Sequence, residues 1–289
     1  MRQNILRATI RERADGGSAK TRVTAWMESG EGPRAKQGHP VKLSGKTAIV
    51  TGASRGLGKA MAMELARAGA SVVAAARTVG PGQTTLPGTI FETVKKIEEL
   101  GGKAIAVRCD ISEEEDVANL VKEVNGRYGS IDILINNAGI TTTESFLKMS
   151  TKKWDLVIAV NLRGTFLCTK AVLPQMVERR SGNIINLSSV LSKRIEYSIA
   201  YGTTKAAIDR FTFGLAKEVK KQNIAVNALC PDFTVTEAVK AYLPGIDTTD
   251  WQSPEMWGKY AVLVAAKTAE ELTGRILDQA ALIELFGPI

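Results

Sequence analysis

The sequence predicts an α/β fold, a doubly wound parallel sheet in three layers, α/β/α. From residue 46 onward, short apolar runs alternate with amphipathic stretches, as in a sheet covered by helices on both faces. The first run, Thr47-Ala48-Ile49-Val50, passes through TGASRGLG (residues 51–58) into Ala60, Met61, Leu65 and Ala68 at helical spacing. A glycine turn therefore joins a buried strand to a helix. The length, 289 residues with 44% apolar content, suits one domain of about 250 residues.

The elements follow in order. After a helix to about Gly69 come the strand SVVAAA, a helix from about Thr89 to Leu100, the strand KAIAVRCD, a helix from Glu113 to about Gly126, and the strand IDILINNAG. A long helix around Lys152–Val177, the strand GNIINLSS, a helix from about Tyr201 to Lys221, and the strand NIAVNALC complete the alternation. Ligands of such sheets lie beyond the carboxyl ends of the strands, near the topological switch point, so the chemistry is expected where strands end.

Residues 1–43 read as a flexible basic extension and 44–289 as the folded domain. Of the formal charge of +8, a net +6 lies in residues 1–46, which hold ten Lys/Arg and four Asp/Glu. Segments such as RERADGGSAK lack sustained periodicity and read as a solvated tail, or as chain upstream of a later start at Met27. Nucleic-acid binding through this tail is the weaker reading, and no nucleic-acid partner is expected. No apolar run approaches the roughly 18 residues of a membrane span. Three separated cysteines and no secretory pattern point to reduced thiols and a cytoplasmic setting. The one histidine, His39, lies in the tail, and there is no Cys-x-x-Cys pair. A Ser-His-Asp hydrolase and a histidine- or cysteine-built metal site in the core are thereby excluded, and no metal is expected.

The glycine turn aims backbone N–H groups and a helix dipole at one point, which suits a phosphate. Ala53 and Ala60 break the G-x-x-x-x-G-K-[ST] pattern, so ATP or GTP is disfavoured, whereas Gly52, Gly56 and Gly58 resemble a dinucleotide turn. The second strand ends in Ala76-Arg77, with no acid to hold a ribose hydroxyl. Arg55 and Arg77 are then cations for a 2′-phosphate, favouring NADP over NAD, or are merely solvated. Asp110 ends the third strand as an acceptor for an adenine amino group or as a cap of the next helix, for which Ser112 is the better candidate. Asn136-Asn137-Ala138-Gly139 ends the fourth strand, tying strand ends together or forming an ordinary turn. Ser188-Ser189 ends the fifth. Tyr201 and Lys205, four apart, share a helix face. An ammonium beside a phenol favours phenolate and makes a proton donor and acceptor, unless the pair is simply part of a surface helix.

Together TGASRGLG, NNAG, the asparagine of VNLRG, the serine of NLSS, YGTTK and CPDFTVT, in this order, resemble the short-chain dehydrogenase/reductase family over roughly residues 44–278. The resemblance implies a Rossmann-type fold, an NADP(H) cofactor, and a carbonyl or alcohol substrate that is apolar or lipid-like. It implies Tyr201 as catalytic acid/base, Lys205 as ribose ligand and pKa modulator, Ser189 as hydrogen-bond partner of the substrate oxygen, and Asn161 as a helix-kinking residue holding a water. Gly52, Ser54, Arg55, Gly56, Leu57 and Gly58 would form the cofactor loop. Asp110 and Ile111 would flank adenine, with Asn137, Ala138 and Gly139 by the ribose and Pro231, Thr234 and Thr236 near the nicotinamide.

Three features depart from the family pattern. Ser189 lies twelve positions before Tyr201, where thirteen is usual; Asp232 replaces the usual glycine after Pro231; and the C-terminal stretch lacks Asp-Gly-Gly. The last, with the loop TVGPGQTTLPGTI, is more like hydroxysteroid dehydrogenase-like members. Residues 233–257 are expected to form a substrate lid, with Val235, Tyr242, Leu243, Ile246, Trp251 and Trp257 lining it or packing it. The family commonly forms homodimers or homotetramers through the helices of Asn161 and Tyr201. A dinucleotide-binding sensor or scaffold with little turnover is the alternative to a carbonyl reductase.

Overall fold

The computed structural model describes residues 41–80, 86–142, 144–195 and 198–289. His39 and most of the basic extension lie outside them, as do residues 81–85 of the loop after the second strand. The expected alternation is present as β1 (Thr47–Thr51), α1 (Gly56–Arg67), β2 (Ser71–Ala76), α2 (Ile90–Glu99), β3 (Lys103–Arg108), α3 (Glu114–Tyr128) and β4 (Ile133–Asn136). Then come α4 (Thr151–Ile158), a π-helical turn (Ala159–Arg163), α5 (Gly164–Arg179), β5 (Gly182–Leu187), α6 (Ile199–Val219) and β6 (Ile224–Leu229). The short α7 (Glu237–Tyr242), α8 (Pro254–Ala265), β7 (Ile276–Leu277) and α9 (Gln279–Phe286) follow.

All strand pairs are parallel, in the order β3-β2-β1-β4-β5-β6-β7. The chain reverses its direction of winding between β1 and β4, which opens the crevice at their carboxyl ends. Side chains alternate across the pleat. Val73, Ile49, Leu134, Ile184 and Val226 stand in register across five strands. They pack on Val117 and Leu120 of α3, Leu167 and Met176 of α5, and Val219 of α6. Their neighbours Val50, Val72, Ala74, Ile133 and Ile135 face the other way, onto Met61 and Leu65 of α1, Ile97 of α2 and Tyr260 of α8. A strand buried on both faces is apolar at most positions, which is why these runs lack polar alternation.

Several sequence expectations need correction. Leu43 was placed in the extension, yet it is buried in the core and its amide bonds to the Ala68 carbonyl at 2.7 Å. The single helix expected over 152–177 is two helices with a π-turn between them. Thr151–Arg179 taken together is long and apolar enough to cross a membrane, but half of its most apolar stretch is buried within the fold. Ser112 does not cap α3. Glu113 holds that position without a side-chain bond, while Ser112 donates its amide and hydroxyl to Asp110 Oδ1 at 3.1 and 2.7 Å. Of the two readings of Trp257, lining or packing, the structure has the second: it is wholly buried in α8.

Candidate active site

A cleft of about 990 Å³ opens over the carboxyl ends of β1 to β6, and every expected cofactor residue lines it. At one end is the glycine turn. Gly52 has φ +67°, and a Cβ there would lie 2.8 Å from the Ala138 Cα; one at Gly58 would lie 2.4 Å from the Gly52 carbonyl oxygen. Only glycine lets the three segments approach so closely. Thr51 and Asn137 close the arrangement from β1 and β4. Asn137 Nδ2 donates to the Thr51 and Gly52 carbonyls at 2.8 and 3.2 Å, and Thr51 Oγ1 accepts from the Asn137 and Ala138 amides at 3.0 and 3.1 Å. The NNAG segment thus ties strand ends together, as its amides suggested.

The N-terminus of α1 faces this end of the cleft, with no side-chain cap from Arg55 and no acid in its first turn. Its Gly56 amide is held instead by Glu237 Oε2 of α7 at 2.8 Å, a partner no local pattern announces. Arg55 donates to the Pro87 and Gly88 carbonyls, both at 2.9 Å. Arg77 lies 3.5 Å from Asp110 Oδ2. Burial raises the Asp110 carboxyl, but the Ser112 bonds and then Arg77 outweigh it and hold the group below its ordinary range.

At the other end, α6 presents Tyr201 and Lys205. The Lys205 ammonium lies 5.3 Å from the centroid of the Tyr201 ring and donates a short hydrogen bond to the Leu187 carbonyl at the end of β5. Burial pushes it down to about 8, opposed by Asp209 and Cys230. Ser188 and Ser189 both line the cleft. Ser189 Oγ accepts from the Leu191 amide at 3.3 Å, while Ser188 Oγ is buried without a hydrogen-bond partner among the described residues.

Glycine-turn cradle, switch-point cleft and a Tyr–Lys pair on one helix face match a known protein family. The short chain dehydrogenase family model covers residues 46–246. The chain belongs to this family. 3-Oxoacyl-acyl-carrier-protein reductase FabG of Aquifex aeolicus is 36% identical over 251 residues, 82% of this chain and 96% of that one. Hydroxysteroid dehydrogenase-like protein 2 of Bos taurus is 39% identical over 207 residues, 71% of this chain but 49% of its own length, so the chain spans about half of that relative. Among solved structures, a short-chain type dehydrogenase/reductase from Mycobacterium marinum has 30% identity and a TM-score of 0.73, covering 84% of this chain and 97% of that one. A metagenomic short-chain oxidoreductase in complex with NADP has 29% identity and a TM-score of 0.70, covering 82% of this chain and 97% of that one.

Within the short-chain dehydrogenase fold, the hydrogen bonds of Asn161 and Asp232 show what each side chain holds. Asn161 does not line the cleft. Its side chain is spent on the Ile140 amide (2.8 Å), the Ile140 carbonyl (2.9 Å) and Thr204 Oγ1 (3.0 Å), so it fixes the segment after β4 to the helix of Tyr201. It lies in the π-turn, the distortion that the resemblance implied. Asp232, at the usual glycine position, lines the cleft and accepts from Arg194 at 2.9 Å and from the Phe233 amide at 2.9 Å.

Of the lid residues, Tyr242, Leu243 and Trp251 line the cleft, with Phe233 stacked on Trp251 at 4.8 Å, whereas Val235, Ile246 and Trp257 do not. Gln252, which sequence reading missed, pins the segment expected as a lid. It pairs with Thr234, and its side chain meets the Asp232 amide (3.0 Å), Trp257 Nε1 (3.0 Å) and Gln279 (2.9 Å). Two of these side-chain partners lie 20 and 27 positions away, so no spacing motif exposes it.

Proposed function

We propose that this protein is an NADP(H)-dependent oxidoreductase that interconverts a ketone or aldehyde and an alcohol on an apolar or lipid-like substrate. The observation that carries the reading is the placement of Lys205 against Tyr201, inside a cleft whose far end is the glycine turn. A cleft of this size suits a dinucleotide with a substrate beside it, and the Gly52–Gly58 cradle leaves room that a Cβ would fill. The Leu57 amide and the α1 dipole would hold the pyrophosphate. Arg55 and Arg77 would hold a 2′-phosphate, Asp110 and Ile111 the adenine, Asn137 to Gly139 and Lys205 the riboses, and Pro231, Thr234 and Thr236 the nicotinamide end.

When bound, the dinucleotide supplies or accepts the hydride. The chain moves the proton: in reduction Tyr201 Oη protonates the substrate oxygen, and the phenolate left behind is stabilised by the Lys205 ammonium. Ser189 donates a hydrogen bond to the same oxygen, favouring charge that develops there. Phe233, Tyr242, Leu243 and Trp251 give the cleft an apolar wall, which supports an apolar substrate. The name of the 36%-identical relative makes a 3-oxoacyl thioester a natural first candidate.

A homodimer or homotetramer is part of the same reading, supported by exposed Leu156, Phe166 and Phe213 on the helices around Asn161 and Tyr201. So is a cytoplasmic setting, supported by three free, buried cysteines.

The test is NADPH oxidation with 3-oxoacyl thioesters, alicyclic ketones and sugar ketones, beside Tyr201→Phe. Loss of at least about 100-fold in the variant, with dinucleotide binding retained, is expected; equal turnover in both proteins overturns the reading. NADPH binding without turnover on any carbonyl would favour a sensor or scaffold.

A further inference from the structure

One helical turn beyond Lys205 on α6 stands Asp209, a residue that no part of the reading above uses. Positions i and i+4 share a helix face, and here both charged side chains are inside: Lys205 is 5% and Asp209 8% exposed. Asp209 Oδ1 is fully buried and meets no hydrogen-bond donor among the described residues. A buried carboxylate without donors is costly unless a cation lies near enough to offset it. The buried cation one turn away is the Lys205 ammonium.

We propose that Asp209 is a positioning residue of the reaction: its carboxylate, one oxygen of which is buried without a hydrogen-bond donor among the described residues, keeps the Lys205 ammonium protonated inside the fold, and so keeps Tyr201 in working order. The proposal rests on the roles given above to Tyr201 and Lys205. Around Lys205, burial opposes the charge and Asp209 is the foremost group that restores it. The influence of Asp209 reaches the end of β6 as well. The Cys230 thiol is pushed up to about 12 by burial and then by Asp209, with Lys193 opposing and Asp278 and Asp232 adding to the rise. Besides Asp209 and Cys230, the titratable group that faces Lys205 is Tyr201, four positions before it on the same helix face, with its ring 5.3 Å from the ammonium.

The experiment is the pH profile of kcat/KM for NADPH-dependent carbonyl reduction in Asp209→Asn and Asp209→Glu. Removing a negative charge weakens the proton affinity of every neighbour. The alkaline limb of the Asn variant should therefore move toward neutrality by about one pH unit, a loss of about tenfold at fixed alkaline pH. The Glu variant should restore it. An unmoved limb, or an equal loss at every pH that Glu does not rescue, overturns the proposal.

A second measurement needs no turnover. In thermal melts of Asp209→Asn, Lys205→Met and the double variant, charge pairing predicts that the double variant melts above Asp209→Asn alone, because neither buried charge is then left unpaired. Additive losses overturn the pairing, and this readout survives even if Asp209→Asn by itself does not fold. If Tyr201→Phe kept full turnover, the reaction reading would fail while the melts still judged the pair.

Discussion

Glu237 Oε2 accepts the Gly56 amide at 2.8 Å, while its other oxygen lies 3.9 Å from Lys59 Nζ. One residue thereby joins the lid helix α7 to the turn that starts α1. Its carboxylate does not line the main cleft but a smaller cavity beside it, with Lys59, Lys240 and Pro254. It therefore fastens the lid from outside.

If Glu237 is such a clasp, Glu237→Gln should weaken dinucleotide binding in calorimetry by about five- to tenfold, the worth of one charge-assisted hydrogen bond. Lys240→Ala, across the same small cavity, should leave affinity unchanged. Tighter binding in Glu237→Gln would instead show the carboxylate competing with phosphate for the Gly56 amide.

The two serines after β5 differ in what holds them. Ser189 caps the turn that follows, and Ser188 Oγ is buried without a hydrogen-bond partner among the described residues. With Ser189 as the partner of the substrate oxygen, Ser189→Ala should lose about 100-fold or more in kcat, and Ser188→Ala should lose little. Steady-state rates with the reverse order would move the role to Ser188.

Arg77 lies on the cleft at the end of β2, beside Asp110. Arg77→Ala should raise the Kd for NADPH by about tenfold while leaving that for NADH within about twofold, since only NADPH carries the 2′-phosphate. Equal losses for both cofactors in titration calorimetry would remove the arginine from phosphate recognition.

Burial lowers Lys205 from 10.5 to about 8 in the folded chain. Between these values the unfolded chain binds the extra proton, so the Lys205 contribution to stability rises with pH through that window and is smallest below it. The full span is worth at most about 3 kcal/mol. Thermal melts of the wild-type protein should gain on Lys205→Met as pH is raised from about 8 to 10.5; parallel curves would show that the amine titrates as if in water.

Much of the site was legible because it sits where local patterns end. TGASRGLG was readable since its glycines answer a local crowding between Gly52, Gly58 and Ala138. Tyr201 and Lys205 were readable since helix periodicity alone puts them on one face. Ser112 was misjudged because an adjacent carboxylate, Asp110, competed for its hydrogen bonds. Trp257 was left between lining and packing because an aromatic residue near such a segment looks the same in sequence whether it faces a cleft or the core.

The sequence by itself determined the strand–helix alternation, the glycine turn between β1 and α1, and the shared helix face of Tyr201 and Lys205, all of which follow from short-range spacing and residue type. Tertiary structure decided that Glu237 fastens the lid to Gly56, that Gln252 pins it, that Asn161 holds Ile140 rather than facing the cleft, and that Asp209 shares a buried face with Lys205. The physical reason is that hydrogen bonds and burial join residues by distance in space: Glu237 and Gly56 meet across 181 positions of chain, and no periodicity records that meeting.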